Sequence, residues 1–569
     1  MDYKQLISKE IKNHVDLDLD QIQNLISNPP NRQMGDFAFG CFKLGDANKS
    51  AKILKEKIEI SMPKYLEKLE VKGPYLNFYL TYSNVAKDIL PTILKEKQNY
   101  LSQKQNKKTI VIDFSSPNIA KPFGIGHLRS TVIGNSLYRI YTKLGYKVIG
   151  VNHLGDWGTQ FGKLIVAYKL WGKKQELEKD PIKYLLKLYV RFHKDAETNE
   201  KLIEDAREEF KKLEDGDKQS LQLWKEFKDL SIKEFERIYQ ILDVKFDSLH
   251  GEAFYNDKMQ PVIDELKQNK SVPTKMSQGA FIVDLEEFKM PPILLVKSNK
   301  ATTYHTRDLA AVNYRLKEYK PNKILYVVGQ EQKLHFRQLF KTLELSGQEK
   351  DKFEHLDFGL FRFPEGKMST RKGNVIFLEE VLDKAIKLAL DIINEKNPDL
   401  KNKQEIAKQV GVGAIIFADL SNDRTRNINF DWNRMLSFEG ETAPYIQYTH
   451  ARCSSILRKL ELKENQINTK VDFKALSTSQ EHDLIWQIYN FKKAIVRAAK
   501  DNKPHHLAQY LISLAQTFND FYHHCHVNID DQKTKEARIL LVESTRQIIE
   551  NGLYLLGIKA PKEMWSISF

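Results

Sequence analysis

The sequence predicts a multidomain α/β protein: a mixed α+β N-terminal domain over residues 1–105, a parallel-sheet domain with a helical insertion over 106–439, and an all-α bundle over 440–569. Three observations predict it. A strand–helix–strand pattern opens at Thr109, helical periodicity rich in Lys and Glu interrupts the domain from about 173 to 242, and turn signals thin out after Gly440. At roughly 100–200 residues per domain, a 569-residue chain suits about three or four such pieces.

The N-terminal stretch alternates helical patterns with turns such as Asn28-Pro29-Pro30-Asn31, and it includes the strand-like Pro74-Tyr75-Leu76-Asn77-Phe78-Tyr79-Leu80. The polar run from Ser102 to Lys108 reads as a linker. Thr109 to Phe114 is a β-branched, nearly continuous apolar run, as expected of a strand buried on both faces. A loop with Pro117, Pro122, Gly124 and Gly126 follows, then a helix from about His127 to Leu144 and a second strand at Lys147 to Val151. Such a βαβ unit has parallel strands and a right-handed crossover. Lys323 to Val328 is expected to add a strand that leads into a helix near Gln332. Within the insertion Tyr184, Leu185, Leu188 and Tyr189 fall at helical spacing, and the charged face reads as solvated. The pattern after Gly440 is helical to the end, which predicts a bundle.

With 41% hydrophobic and 11% aromatic residues the chain has ample apolar surface to offset its entropy, so general disorder is excluded. Cys41, Cys453 and Cys525 are odd in number and too dispersed for a C-x-x-C metal knuckle; this argues against a disulfide scaffold and for a reducing compartment. Residues Met1 to Val15 lack the uninterrupted apolar centre of a secretory signal, and no stretch approaches a membrane span. The expectation is a cytoplasmic protein. A net charge of +14, spread without a basic tail, suits either a solvated surface or a polyanion partner such as nucleic acid.

Two segments carry chemistry. Ser115-Ser116-Pro117-Asn118-Ile119-Ala120-Lys121-Pro122-Phe123-Gly124-Ile125-Gly126-His127 lies between a buried strand and a helix start, at the carboxyl end of a parallel sheet, where open α/β folds bind ligands. Unpaired amides and the helix dipole favour phosphate there; Gly126 admits a flat ring, and Lys121 and His127 add donors. The second segment, Lys367-Met368-Ser369-Thr370-Arg371-Lys372-Gly373-Asn374, packs three cations among small residues, which suits neutralisation of a departing polyphosphate.

These residues carry a resemblance. Gly124-Ile125-Gly126-His127 resembles the HIGH signature, and Lys367-Met368-Ser369-Thr370 the KMSK signature, of class I aminoacyl-tRNA synthetases. Narrower words surround them: Ser116-Pro117-Asn118-Ile119-Ala120-Lys121, His127-Leu128-Arg129-Ser130, Val151-Asn152-His153-Leu154-Gly155-Asp156-Trp157-Gly158-Thr159-Gln160, Tyr304-His305-Thr306-Arg307-Asp308 and Tyr445-Ile446-Gln447-Tyr448-Thr449-His450-Ala451-Arg452. In this order, over essentially the whole chain, they resemble the arginyl-tRNA synthetases. The sequence departs from the signatures twice, with Gly124 at the first histidine of HIGH and Thr370 at the last lysine of KMSK. In this family a lysine just upstream of HIGH is thought to replace the latter, and Lys121 matches it.

The resemblance implies a Rossmann-type catalytic domain, an N-terminal domain that contacts the tRNA elbow and a C-terminal anticodon-binding bundle. It implies that arginine, ATP and the cognate tRNA are substrates, that Mg²⁺ arrives with ATP, and that the enzyme is a monomer. By the same resemblance Lys121, His127 and Lys367 are the catalytic candidates, and Gly124, Gly126, His127, Lys367, Met368, Ser369, Thr370 and Arg371 hold ATP. Asn118, Glu252, Tyr304, Asp308 and Gln332 are assigned to arginine; a planar five-donor cation demands such acceptors. His153, Asp156, Trp157 and Gln160 could line the same pocket, although core packing explains Trp157 equally well. For tRNA the candidates are Tyr75, Asn77, Tyr445, Tyr448, Arg452, Tyr522, His526 and Met564, a set that a plain strand and a helical core stripe would also produce in part. Dispersed cysteines argue against the zinc-dependent cysteine enzyme of this class, and the acidic pocket favours arginine over the leucine, isoleucine and valine enzymes.

Overall fold

A short antiparallel sheet opens the chain: β1 (Ile26–Ser27), β2 (Phe37–Gly40), β3 (Leu66–Lys72) and β4 (Tyr75–Leu80) stand in the order β1–β2–β4–β3. Leu76, Phe78 and Leu80 alternate along β4 and are fully buried, the period-two pattern of a strand with one core face. The computed structural model describes residues 2–362 and 376–564, so the segment holding Lys367, Met368, Ser369, Thr370 and Arg371 lies outside the described residues. The chain divides into two units.

The first unit combines the N-terminal hundred residues with Arg452–Phe491 and Ser513–Ile549. Aromatic packing joins these stretches. The Tyr3 amide donates to the Tyr489 hydroxyl at 3.0 Å, Phe37 meets Trp486 edge-on at 5.6 Å, and Tyr82 stacks on His482 at 4.7 Å. Lys492–Ile512 and Glu550–Phe569 group with the parallel sheet in the second unit.

In the second unit β5 (Thr109–Asp113) is followed by the helix Ile125–Lys143 and β6 (Lys147–Val151), the expected βαβ unit. The polar run after Ser102 is not a free linker. Backbone amides of Gln103 and Asn106 donate to the carbonyls of Lys143 and Gly145, which pins it to the turn before β6. Helices Thr159–Trp171, Lys174–Lys179, Pro181–Ala196, Lys201–Glu214 and Lys218–Leu242 form the insertion. A three-stranded antiparallel sheet, β7 (Thr274–Ser277), β8 (Ala280–Val283) and β9 (Ile293–Val296), comes next. The chain then returns through the helix Tyr304–Tyr319 to β10 (Lys323–Tyr326), the helix Lys333–Leu345 and β11 (Phe353–His355). All pairings in the sheet β11–β10–β5–β6 are parallel. Val111, Ile324 and Tyr326 from its strands pack with Leu309, Val312, Phe336 and Leu339 of those two helices, so that β5 and β10 end in the centre of the unit.

The helix Ile125–Lys143 is fastened on two sides. Arg129 donates through Nε and Nη2 to both oxygens of Asp419, at 3.1 and 3.2 Å, and through Nη1 to the Arg426 carbonyl at 2.8 Å. Both side chains of the pair are 1% exposed. Two residues past Arg426, β13 (Ile428–Asn429) pairs with β12 (Phe361–Arg362). At the helix start, the Ile125 amide donates to the Ile376 carbonyl and the Leu378 amide to the Phe123 carbonyl. Both flanks of residues 363–375 are thus tied to this one helix. Among the described residues no helix is long and apolar enough to cross a membrane.

Breaking a buried pair by removing one partner leaves an uncompensated charge. Asp419→Ala is accordingly expected to cost about 3–5 kcal/mol in denaturant unfolding, and R129M/D419L to recover most of that loss.

Candidate active site

The loop after β5 holds an unusual backbone. Ser115, Ser116 and Ala120 adopt φ of +74°, +48° and +57°, a left-handed conformation that non-glycine residues rarely take. Side-chain acceptors enforce it. The Ser115 amide donates to Ser130 Oγ at 2.8 Å, that of Ser116 to Asn152 Oδ1 at 3.1 Å, and that of Ala120 to Ser231 Oγ at 2.8 Å. Ser231 and Tyr239 lie on the insertion helix Lys218–Leu242, and the Tyr239 hydroxyl bonds Ser115 Oγ at 2.7 Å and accepts from Asn152 Nδ2 at 2.9 Å. The insertion is therefore more than a solvated accessory: one face of it holds the loop, and nothing in its composition announced this.

The loop positions the phosphate-side candidates. Gly124 caps the helix Ile125–Lys143, and a Cβ added at Gly126 would meet no other atom within 4 Å among the described residues, the kind of approach a flat ring needs. Burial pushes the His127 imidazole down to about 4, aided by nearby Lys121 and opposed by the backbone of Gly124. The ring is therefore neutral at neutral pH, and its Nδ1 has no partner among the described residues. Lys121 donates from Nζ to Gln160 Oε1 at 3.3 Å and stands 5.7 Å from the centre of the Tyr189 ring.

The second strand carries the acidic side. After β6, Asn118 and Gly155 form a parallel bridge, and a Cβ at Gly155 would collide with the Asn118 side chain; only glycine permits this approach. Asp156 is fully buried, and its carboxylate accepts from Lys228 Nζ at 2.7 Å and from the Ala253 amide at 2.8 Å. It acts as a tether for the turn that presents Glu252, where a Cβ at Gly251 would again collide with it. Burial pushes the Glu252 carboxyl up to about 7; Arg307 at 3.7 Å opposes this, while Asp308 and Asp156 reinforce it and Lys121 acts against it. That mutual influence places Glu252 within electrostatic reach of both Asp308 and Lys121.

The helix Tyr304–Tyr319 completes the wall. Asp308 accepts from His335 Nε2 at 2.7 Å, and its other oxygen stands 4.0 Å from His153 Nε2. Burial opposes ionisation of Asp308, yet the hydrogen bond from His335 and neighbouring positive charge hold its carboxyl below the ordinary carboxylate range. Tyr304 is 57% exposed, with its ring 4.1 Å from that of His305 and 5.3 Å from that of His335. Gln332 follows β10, at the start of the helix Lys333–Leu345, and is exposed. The Trp157 ring contacts Trp224 and Phe210, and only 8% of the residue is exposed, a packing role. Sequence reasoning gave no role to His335 or Arg307; Arg307 stood beside Asp308 in a quoted word, and the signal for His335 was a histidine three residues past Gln332, on the helix that leaves β10.

The tRNA candidates do not behave alike. Tyr448 and Met564, 8% and 5% exposed, sit together in an apolar cluster with Ala389, Ile393 and Val410, so their side chains are spent on packing. Tyr445 is half-buried on the same helix. In the other unit Arg452 donates to Asn519 Oδ1 at 2.6 Å with its guanidinium 5.0 Å from the centre of the half-buried Tyr522 ring, and His526 is exposed. Tyr75 is 39% exposed, whereas Asn77, two residues along the same strand, is buried. Alternation alone did not distinguish them.

The sequence matches the family described as class I (R) tRNA synthetases, catalytic domain, over residues 89–432, the DALR anticodon binding domain over 446–564, and the arginyl tRNA synthetase N terminal domain over 1–80. The arginine–tRNA ligase of Clostridium perfringens is 49% identical over 569 residues, covering 99% of this chain and 100% of that protein; that of Clostridioides difficile is 48% identical over 571 residues with the same coverage. Among solved structures, arginyl-tRNA synthetase from Thermus thermophilus aligns with a TM-score of 0.83 at 25% identity, and that from Plasmodium falciparum with 0.79 at 25%, each covering 99% of both chains. The chain belongs to the arginyl-tRNA synthetase family of class I aminoacyl-tRNA synthetases.

Proposed function

We propose that the site at the carboxyl ends of β5, β6 and β10 activates L-arginine with ATP and transfers it to the terminal adenosine of its cognate tRNA. The activity itself follows from family membership. The observation that carries the site assignment is the neighbourhood of two carboxylates, Glu252 and Asp308, with Lys121 and His127.

In the first step the arginine carboxylate attacks the α-phosphorus of ATP, the bond to the β-phosphate oxygen breaks, and pyrophosphate leaves with that electron pair. In the second, a hydroxyl of the terminal adenosine attacks the acyl carbon, the acyl–phosphate C–O bond breaks, and AMP leaves with that electron pair while the hydroxyl proton passes to a phosphate oxygen of AMP or to water. Neither step needs a covalent enzyme intermediate, so positioning and charge stabilisation do the work. On this reading Asp308 and Glu252 accept the guanidinium, with Tyr304, Asn118 and Gln332 supplying further polar contacts. Lys121 stabilises charge on the phosphates, and neutral His127 acts through hydrogen bonding. The segment with Lys367, Met368, Ser369, Thr370 and Arg371 is assigned to ATP on its sequence alone. Mg²⁺ prefers oxygen ligands, which an ammonium and an imidazole do not supply, so it would enter on the ATP phosphates. Tyr75, Tyr445, Arg452, Tyr522 and His526 are proposed tRNA contacts, of which Tyr522 beside Arg452 offers a stacking platform, while burial of Asn77 takes it out of the set. A cytoplasmic monomer, cut near residues 105 and 439 into elbow-binding, catalytic and anticodon-binding domains, completes the proposal.

The test is exchange of pyrophosphate into ATP, measured with arginine and its cognate tRNA. Exchange that depends on arginine is expected; none, or exchange driven by another amino acid, contradicts the reading. Asp308→Asn should lower kcat/KM for arginine by about 2–5 kcal/mol, because a desolvated guanidinium loses its charged partner. Lys121→Ala should lower kcat by about 10²–10³ with little change in KM for arginine, and a loss confined to KM would contradict its role. Glu252 is neutral below about 7 and a carboxylate above it. KM for arginine should therefore fall as pH rises from about 6 to 8, with proton release on binding below neutrality. Glu252→Gln should flatten that profile, and an unchanged profile would remove Glu252 from the pocket.

A further inference from the structure

His335 is not among the residues assigned to any step, yet it makes a close contact with the acidic wall, 2.7 Å from Nε2 to Asp308 Oδ2. Its side chain is 10% exposed and ringed by Tyr304, His305 and Phe336, at centroid distances of 5.3, 4.7 and 5.2 Å. Rings on three sides leave the imidazole few alternative positions. Its Nδ1 is buried without a hydrogen-bond partner among the described residues. Nε2 is therefore the ring nitrogen that meets a partner, and that partner is Asp308. The opposite carboxylate oxygen, Oδ1, lies 4.0 Å from His153 Nε2, beyond hydrogen-bond reach.

We propose that His335 is a positioning residue for arginine: by donating from Nε2 to Oδ2 it locks the Asp308 carboxylate in one orientation and leaves Oδ1 open to the guanidinium. The proposal rests on the assignment of Asp308 to the arginine pocket. His335 touches no reacting atom, so its effect belongs in arginine binding and not in turnover.

The test uses two polar variants of the full-length enzyme that differ in reach. In His335→Gln the amide nitrogen comes close to the place of Nε2; in His335→Asn it falls one methylene short. H335N should raise KM for arginine about 10- to 100-fold, with KM for ATP, kcat at saturating arginine and the thermal midpoint near those of the wild type. H335Q should restore KM to within about threefold. Equal loss in both variants, or loss spread over ATP and kcat, would overturn the positioning role. If Asp308→Asn raises KM for arginine while H335N does not, the role of His335 falls and the arginine pocket stands; if neither changes it, both fall. A check without variants is available in imidazole-labelled wild-type enzyme. Nitrogen chemical shifts should report a proton on Nε2 of His335 before and after arginine is added, and an Nε2 without one would refute the proposal even if H335N failed to fold.

Discussion

The bidentate pair of Arg129 and Asp419 is the constraint on which the catalytic unit turns. Two charges with 1% of their side chains exposed are tolerable only while each satisfies the other, so the helix Ile125–Lys143 and the helix Lys403–Leu420 are held to one relative placement. The remaining Arg129 nitrogen reaches the Arg426 carbonyl, close to β13 and its partner β12. The same helix begins at Gly124, where the chain entering at Ile376 is held by backbone hydrogen bonds. A single element thus carries the phosphate-side loop at its start and orders the flanks of a second cationic segment. The pair contributes placement more than stability, since an apolar replacement of similar volume could hold as well.

The site follows from a division of labour between strands and what lies behind them. Strand ends deliver Asn118, the Asp156 turn and Gln332 to one edge of the parallel sheet, the usual position for ligands in open α/β folds. Behind that edge stands an outer set: Ser231 and Tyr239 on the insertion, Lys228 on Asp156, His335 on Asp308. These residues fix strained backbone and carboxylate orientation. Their cost is spread over the fold, while their benefit is concentrated in a pocket where charge must be in place before the substrate arrives.

Much of the fold was legible in the sequence, for local reasons. The β-branched run at Thr109 and the strand at Lys147 follow from composition and length, and β6 ends where the pattern ended. The loop between them was legible because its glycines, lysine and histidine lie within a dozen residues. Less legible was anything built from distant contacts. The antiparallel β7–β9 sheet escaped notice because its strands have four residues each, too few for a clear period. The polar run after Ser102 looked like a linker because backbone hydrogen bonds leave no mark in composition. Tyr448 and Met564 share an apolar cluster although 116 residues separate them, and a tyrosine stripe at helical spacing cannot say whether it faces a core or a partner. His335 carried no motif; only the 2.7 Å contact gives it meaning.

The central claim is that the acidic wall and the cationic loop serve one ligand at once. Calorimetric titration of a non-hydrolysable arginyl-adenylate analogue tests it most directly, with arginine and AMP titrated separately for comparison. A shared cleft predicts that the analogue binds far more tightly than either half, because one ligand then engages Asp308 and the Lys121 loop together. An analogue that binds no better than AMP alone would mean that the two sets of residues face different cavities.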